Sequence, residues 1–517
     1  MKRFFILILA LCFSLSAFAG CVETGEKPKE DYLLESEISI DPEYTRYDIA
    51  LSNGKKTEGY GCQVDTHIFK ESNGNYYSEE DFEEWLARID DMGLQSIRTQ
   101  VFPEWYERGN DNGDYDLFDY ESPNVDMESI EMQQLYRLLD LCEERDIKVD
   151  LSFYGCNRIF ASQDGKISGS WLANTYTGNW ITAPKTEDEN GNSFAGNEEY
   201  AESVSALLSY LLDVKQYTCI YEFSLFPEPN LSFLDPQGKS NDNAYAAFCK
   251  VVYEKLKADG LWGRVLFSGP GDCANDPARY ENYTKLLAGV YQKNTSSVYR
   301  FNDTSTNAEM YEYAKTLVDI CDREGLTWGV CESGTDRYID PANQSDIDTY
   351  ERALFLARQM IQFTNAGCTN IKYWVLNDVW YDGYIMRLGL WKLADDRFFA
   401  EARPQFYSWS LITKFAAFGS DIYPVTSSDE DVCMVAFKLP GGEWSYLIAN
   451  NSAYTRKISI VNRWNSAQTT FDVYELSGST VPNTNRVLTS QKSETAENCV
   501  VSLTLRANSF TVLSNLR

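Results

Sequence analysis

Histidine is almost missing from this chain. His67 is the only one among 517 residues, so any chemistry that needs an imidazole has a single residue to draw on. The cysteines form no CxxC pair and no Cys/His cluster, which removes the ligand spacing of a zinc site. No metal or cofactor is called for. Basic residues are also scarce, 46 Lys plus Arg against 77 Asp plus Glu, for a formal charge of −31. Such a chain repels polyanions, and nucleic acid is excluded as a partner. A uronic-acid polymer would need a local basic patch, and none stands out. A neutral partner fits best, and a monomer is expected.

Aromatic residues, by contrast, are plentiful at 14%, with 34 Tyr and 12 Trp. Aromatic faces pack on pyranose rings, and they also build large cores; composition alone points to the core. The first residues, MKRFFILILALCFSLSAFAGC, have a basic start, a short apolar run and a small-residue cleavage site. They read as an export signal over residues 1–20, too short for a membrane span. Phe18-Ala19-Gly20-Cys21 resembles a bacterial lipobox, which implies cleavage before Cys21 and lipid attachment there. The expected location is outside the cytoplasm, tethered by lipid to the outer membrane or cell surface. Residues 21–58 are polar and acidic, as a tether would be. Cys142, Cys249, Cys321 and Cys368 lie inside apolar patterns and read as small buried hydrophobes. The sequence pairs none of the cysteines.

From Gly59 onward short apolar runs alternate with amphipathic stretches. The strand candidates are YGCQV (60–64), SIRTQVF (96–102), KVDLSFY (148–154), IYEFSLF (220–226), RVLFS (264–268), SVYRF (297–301), TWGVC (327–331) and IKYWVL (371–376). Helical patterns fall between them, the first opening at Ser78 with Asp81 three residues on, a capping box, and ending at Gly93. Eight such units predict a (β/α)8 barrel over residues 59–419, with catalytic groups at the carboxyl ends of the strands. After Gly419 the period becomes two and helices cease. Residues 420–517 are expected to form a β-sandwich packed on the barrel.

One stretch, YEFSLFPEPN (Tyr221–Asn230), ends the fourth strand on a carboxylate between two prolines. Pro229 is expected to restrict Glu228 to extended geometry and so aim it in one direction. The seventh strand, LTWGVCESG, ends with Glu332. Two acids on one barrel face are what glycosidic-bond cleavage requires: one protonates the leaving oxygen, and the other attacks the anomeric carbon or activates water.

The fourth-strand Glu followed by Pro, together with the seventh-strand Glu, resembles the pair of clan A glycoside hydrolases, which include families 5 and 39. The resemblance covers residues 59–419. It implies a retaining double displacement with Glu228 as acid/base and Glu332 as nucleophile. Arg98 falls where such enzymes place an arginine near the nucleophile, although it could equally serve only as a buried salt bridge. Trp374 resembles the aromatic that floors the sugar subsite. Tyr154 and His67 follow strands three and one and are carried as substrate contacts. Two positions depart from the pattern. The residue before the acid/base Glu is usually Asn and here is Pro227, which has no donor to offer a sugar hydroxyl. The sixth strand usually leads into His-x-Tyr, and here the chain reads YRFNDTST, with Asn302 near the histidine position. Asn302 and Asn377 are the nearest candidates to reach the sugar 2-position instead. Loops 103–120 and 169–184 are rich in Trp, Tyr and Asn and would wall a cleft. Within the first, GNDNGDYD has the composition of a calcium loop but lacks the glycine placement and distal Glu of an EF-hand, and it reads as solvated. The expectation is an endo-acting hydrolase of a neutral β-linked glycan. The rivals are a non-catalytic glycan-binding lipoprotein on a degenerate barrel and a transglycosylase using the same residues.

Overall fold

Alternating strands and helices bring the chain round into a closed parallel barrel. Its strands are Tyr60–Gln63, Ser96–Val101, Lys148–Phe153, Ile220–Leu225, Leu266–Asp272, Lys293–Val298, Thr327–Ser333 and Ile371–Tyr373, and the first pairs with both the second and the eighth. These are called strands one to eight below. The computed structural model describes residues 38–516 except 65, 70–77, 110, 113, 115, 155–197, 234–238, 335–344, 382–383, 393–400, 427–428 and 466–467. The export signal, Cys21 and the loop 169–184 lie outside the described residues. Among the described residues, no helix is long and apolar enough to cross a membrane.

The helices start and stop where their sequences say. Ser78 caps Glu79–Met92 in a reciprocal capping box with Asp81, and Gly93 closes it in the left-handed conformation at φ 57°, which glycine adopts without strain. Thr306 and Glu309 repeat the capping box at Asn307–Arg323. Cys142, Cys249, Cys321 and Cys368 are buried free thiols. Strand six is the main departure. It runs over Lys293–Val298, KNTSSV, four residues before the apolar segment 297–301 expected to form it. The polar run gives no hydrophobic signal because its side chains serve the barrel interior.

That interior is charged. Lys293 Nζ lies 2.7 Å from Glu222 and 3.0 Å from Glu58. Lys372 donates to Ser96 Oγ. Burial, with Lys293 nearby, lowers the Lys372 ammonium to about 8. Register sets Gln63 beside Arg98, Arg98 beside Asp150, and Asp150 beside Glu222. Charged side chains thus occupy the space that apolar residues usually fill, with the acids Asp150 and Glu222 side by side between Arg98 and Lys293.

The C-terminal module is a sandwich. A six-stranded antiparallel sheet, including Val432–Lys438, Trp444–Asn450 and Ser509–Ser514, faces a three-stranded sheet. Met434, Trp444, Ile458, Phe471 and Leu503 lie in the core between them. The tether expected over 21–58 is wrong in its second half. Thr45–Asp48 forms a strand pairing parallel with Arg456–Val461, because Tyr47 and Ile49 alternate inward into the sandwich core. The helix Tyr350–Ala366 is buried almost all round, as a helix between two layers must be. Its Gln359 accepts from Ser333 of the barrel at 3.0 Å, while Asn365 Nδ2 donates to the Met434 carbonyl of the sandwich at 2.9 Å.

Lys293 is 1% exposed and holds two carboxylates. Lys293→Met should therefore destabilise the protein by about 3–5 kcal/mol, because it leaves buried charge uncompensated. Lys293→Met combined with Glu222→Leu should recover most of the loss. Denaturant unfolding of the two variants checks this, and equal losses would contradict it.

Candidate active site

Glu332 is the penultimate residue of strand seven and is 6% exposed. Its Oε1 accepts from Arg98 Nη1 at 2.7 Å and its Oε2 from Tyr299 Oη at 3.0 Å. Arg98 is itself fixed from two neighbouring strands. Nη1 also donates to Gln63 Oε1 at 2.7 Å, Nη2 donates to Ser152 Oγ at 2.8 Å, and Asp150 Oδ2 stands 3.9 Å from Nε. A guanidinium held at this many points cannot swing away, so one face of the Glu332 carboxylate has a permanent charge-assisted donor.

Glu228 lies just past strand four. Its backbone is left-handed, φ 56° and ψ 55°, not extended as its proline neighbours led us to expect. The chain must turn at once from strand four into the short helical turn Pro229–Ser232. Proline disfavours the right-handed region for the residue before it, and the left-handed region is the compact conformation that remains. The turn is tied at both ends: Glu228 N donates to the Gly271 carbonyl at 3.2 Å, and the Glu228 carbonyl accepts from Leu231 N at 2.8 Å. Phe226 also has positive φ, 46°. Conformations of this kind cost roughly 1–2 kcal/mol each. The Phe226 ring, packed on Tyr200, Phe233 and Phe248 at 5.3–5.4 Å, offsets that cost.

The surroundings of Glu228 differ in kind from those of Glu332. Its residue surface is partly exposed, yet its carboxyl is enclosed by protein. Burial first, and then the charge of Glu332, push the carboxyl up to about 8, with Asp272 adding and the Cys273 thiol and Arg98 opposing. Asp272, at the end of strand five, is itself raised to about 6 by burial, with Arg279 opposing. Cys273 is anchored by Asn230, whose Oδ1 accepts from Cys273 N at 3.2 Å.

The other expected residues divide. Tyr154 lines the same end of the barrel, its hydroxyl accepting from Gln100 at 3.0 Å and its ring stacked on Phe102 at 5.2 Å. Trp374 follows strand eight, 8% exposed, and its backbone N–H donates to the Ser333 carbonyl beside Glu332 at 3.0 Å; the Trp374–Val375 peptide bond is cis. Asn302 is occupied in a turn, its Oδ1 accepting from Thr304 N and Oγ1 at 2.9 and 2.6 Å. Asn377 is buried and donates to the Asp378 carbonyl at 3.0 Å. His67 sits in the short 3-10 helix Thr66–Phe69 after strand one, its side chain outside the described residues. Sequence reading missed Tyr299, Asp272 and Cys273. Placing strand six four residues late hid Tyr299 inside a strand, when it is the first residue past the strand end.

No family model matches the chain, and no curated protein does. Solved structures do. The catalytic domain of GH30 xylanase C from Talaromyces cellulolyticus is similar with a TM-score of 0.62 at 12% identity, over 91% of this chain and 99% of that one. A GH39 beta-xylosidase from Caulobacter crescentus gives 0.56 at 13%, again over 91% and 99%. An endo-beta1,6-glucanase gives 0.59 at 11%, over 93% and 96%. At these identities the likeness establishes a shared fold, and the three neighbours named here are a xylanase, a xylosidase and a glucanase.

The contrast between the carboxyls predicts a titration. In wild type, a carboxyl signal absent from Glu228→Gln should titrate near 8 in carbon-13 NMR. In Glu332→Gln the same signal should move below 8, since removing a neighbouring negative charge makes ionising Glu228 easier. An unmoved midpoint would mean that the two groups do not interact.

Proposed function

We propose that this chain is a retaining glycoside hydrolase acting on a neutral β-linked glycan within the polymer, with Glu332 as nucleophile and Glu228 as acid/base. The observation that carries the reading is the unlike pair of environments: one carboxylate ion-paired to a buried arginine, the other carboxyl pushed up to about 8 and so protonated at neutral pH. Environments that separate two carboxyls in this way assign acid and anion.

In the first step the Glu332 carboxylate attacks the anomeric carbon. The Glu228 proton passes to the departing oxygen, leaving a glycosyl ester. In the second step Glu228, now a carboxylate, takes a proton from water while the water attacks the same carbon and releases Glu332. The ester carries no charge, so the electrostatic contribution that raised Glu228 disappears once its proton has passed to the leaving group, and it stands ready as the carboxylate base. Arg98 and Tyr299 receive Glu332 back as an anion. Trp374 and Tyr154 supply apolar faces for the sugar. The charge of −31 supports a neutral substrate, as do the xylanase, glucanase and xylosidase names among the structural neighbours. The intact carboxylate pair weighs against a degenerate, purely binding barrel.

Glu332→Ala should abolish turnover of every substrate. Glu228→Ala should cost roughly 10²–10⁴-fold on a natural glycan and far less on an activated aryl glycoside, which needs little protonation. Wild-type kcat/KM should fall above about pH 8, where Glu228 loses its proton. Equal losses for Glu228→Ala on both substrates would remove its assignment as the acid, and product analysis in the same assay separates hydrolysis from transglycosylation.

The lipobox reading makes the enzyme a surface lipoprotein. In cells, the wild type should fractionate with membranes and Cys21→Ser should be released, because a multiply acylated cysteine anchors stably. A soluble wild type would refute the anchor.

A further inference from the structure

A second group of carboxylates stands outside the catalytic pair. Glu107 follows the short helix Pro103–Trp105 in the loop after strand two, and Asp111 lies four residues on. Glu199 and Glu202 are one turn apart on the helix Glu198–Ser209, which leads into strand four. One carboxylate oxygen from each of Glu107, Asp111 and Glu199 lies within 4.8 Å of the other two. The loop that sequence reading took as solvated is therefore closed at this point. Glu107 is 0% exposed, Glu202 1%, Glu199 5% and Asp111 9%.

The donors that such a cluster needs are short. Neither carboxylate oxygen of Glu107 meets a hydrogen-bond donor, and neither does either oxygen of Glu202. The nearby Ser203 hydroxyl donates to Tyr106 Oη at 3.0 Å. Asp111 accepts one bond at Oδ1, from Asn112 N at 2.8 Å, and one at Oδ2, from Asp119 N, which leaves lone pairs on both oxygens. Lys255, the cation that acts on Glu202, is spent elsewhere: its Nζ donates to the Asp116 carbonyl at 2.8 Å and pairs with Asp259 at 3.0 Å. Buried carboxylates without donors or a cation are unfavourable. Glu107, fully buried and facing the carboxylates of Asp111 and Glu199 with no donor on either oxygen, calls for positive charge from outside the chain.

We propose that Glu107, Asp111, Glu199 and Glu202 bind a calcium ion that joins the loop after strand two to the helix Glu198–Ser209. All donors are hard oxygens, which selects against soft metals. Calcium accepts six to eight oxygens in variable geometry and takes carboxylates one- or two-fold, whereas magnesium demands a small, regular octahedron. The bound ion would brace one wall of the barrel mouth, since the same loop carries Trp105 and Tyr106.

The test uses the whole chain, freed of metal with a chelator and titrated calorimetrically with calcium chloride. One calcium per chain is expected, with the thermal unfolding midpoint rising by a few degrees in calcium and returning on chelation. Glu107→Gln and Glu202→Gln should each weaken binding at least about tenfold, while Glu121→Gln, an exposed acid of the same loop, should leave it unchanged. Circular dichroism checks that each variant is folded, and if Glu107→Gln fails to fold, Glu202→Gln carries the comparison. No saturable calcium binding, or binding equally strong in the folded Gln variants, overturns the proposal. Tighter binding of magnesium than of calcium overturns the choice of ion.

Discussion

The ion pair between Arg98 and Glu332, at 2.7 Å inside a closed barrel, is the constraint on which the rest of this structure turns. A charge in that position is tolerable only if its partner cannot leave. Gln63 and Ser152 hold the guanidinium from either side. Asp150 approaches from the next strand, and beyond it Glu222, Lys293 and Glu58 continue the charged network. Arg98 and Lys293 are tolerated there because carboxylates stand opposite them. The barrel gives up part of its apolar filling for this and gains a carboxylate fixed in position and orientation.

The second carboxyl depends on the first. Glu228 is held near neutrality by enclosure and by the charge that Arg98 keeps in place across the mouth of the barrel. Its left-handed backbone is a local cost borne for position. The strand must end, turn and offer a side chain to the same small volume within three residues. Aromatic packing beneath Phe226 and hydrogen bonds to strand five keep the turn from relaxing. Rigid strands thus bear Glu332 and Arg98, while the acid sits on a strained turn that those strands support.

The sandwich is part of the same body. The helix Tyr350–Ala366 has one face on the barrel and another on the six-stranded sheet, and the apolar core runs through it from Trp328 to Phe510 without a break. The strand Thr45–Asp48 then ties the chain before the barrel to the module after it. A helix with no solvent face must satisfy its own polar residues, and Arg358 does so on Asn307 and the Ser305 carbonyl.

Patterns with a short reach were legible in the sequence. The eight strand–helix alternations, the capping box at Ser78, the change to period two after Gly419 and the two strand-end glutamates are all local signals, and local sterics and amphipathicity are enough to set them. What the sequence hid was whatever depends on a neighbour far along the chain. Strand six, KNTSSV, looks like a loop because its lysine answers Glu222, 71 residues away. Tyr299 gains meaning only from Glu332 on the adjoining strand, and the segment 45–48 becomes a strand only because Arg456–Val461 offers an edge. The sequence by itself determined the barrel, the sandwich and the presence of two acids. Only the tertiary structure decided which acid is ion-paired and which is held neutral, because burial and Coulomb interaction are properties of the space around a carboxyl and not of its place in the chain.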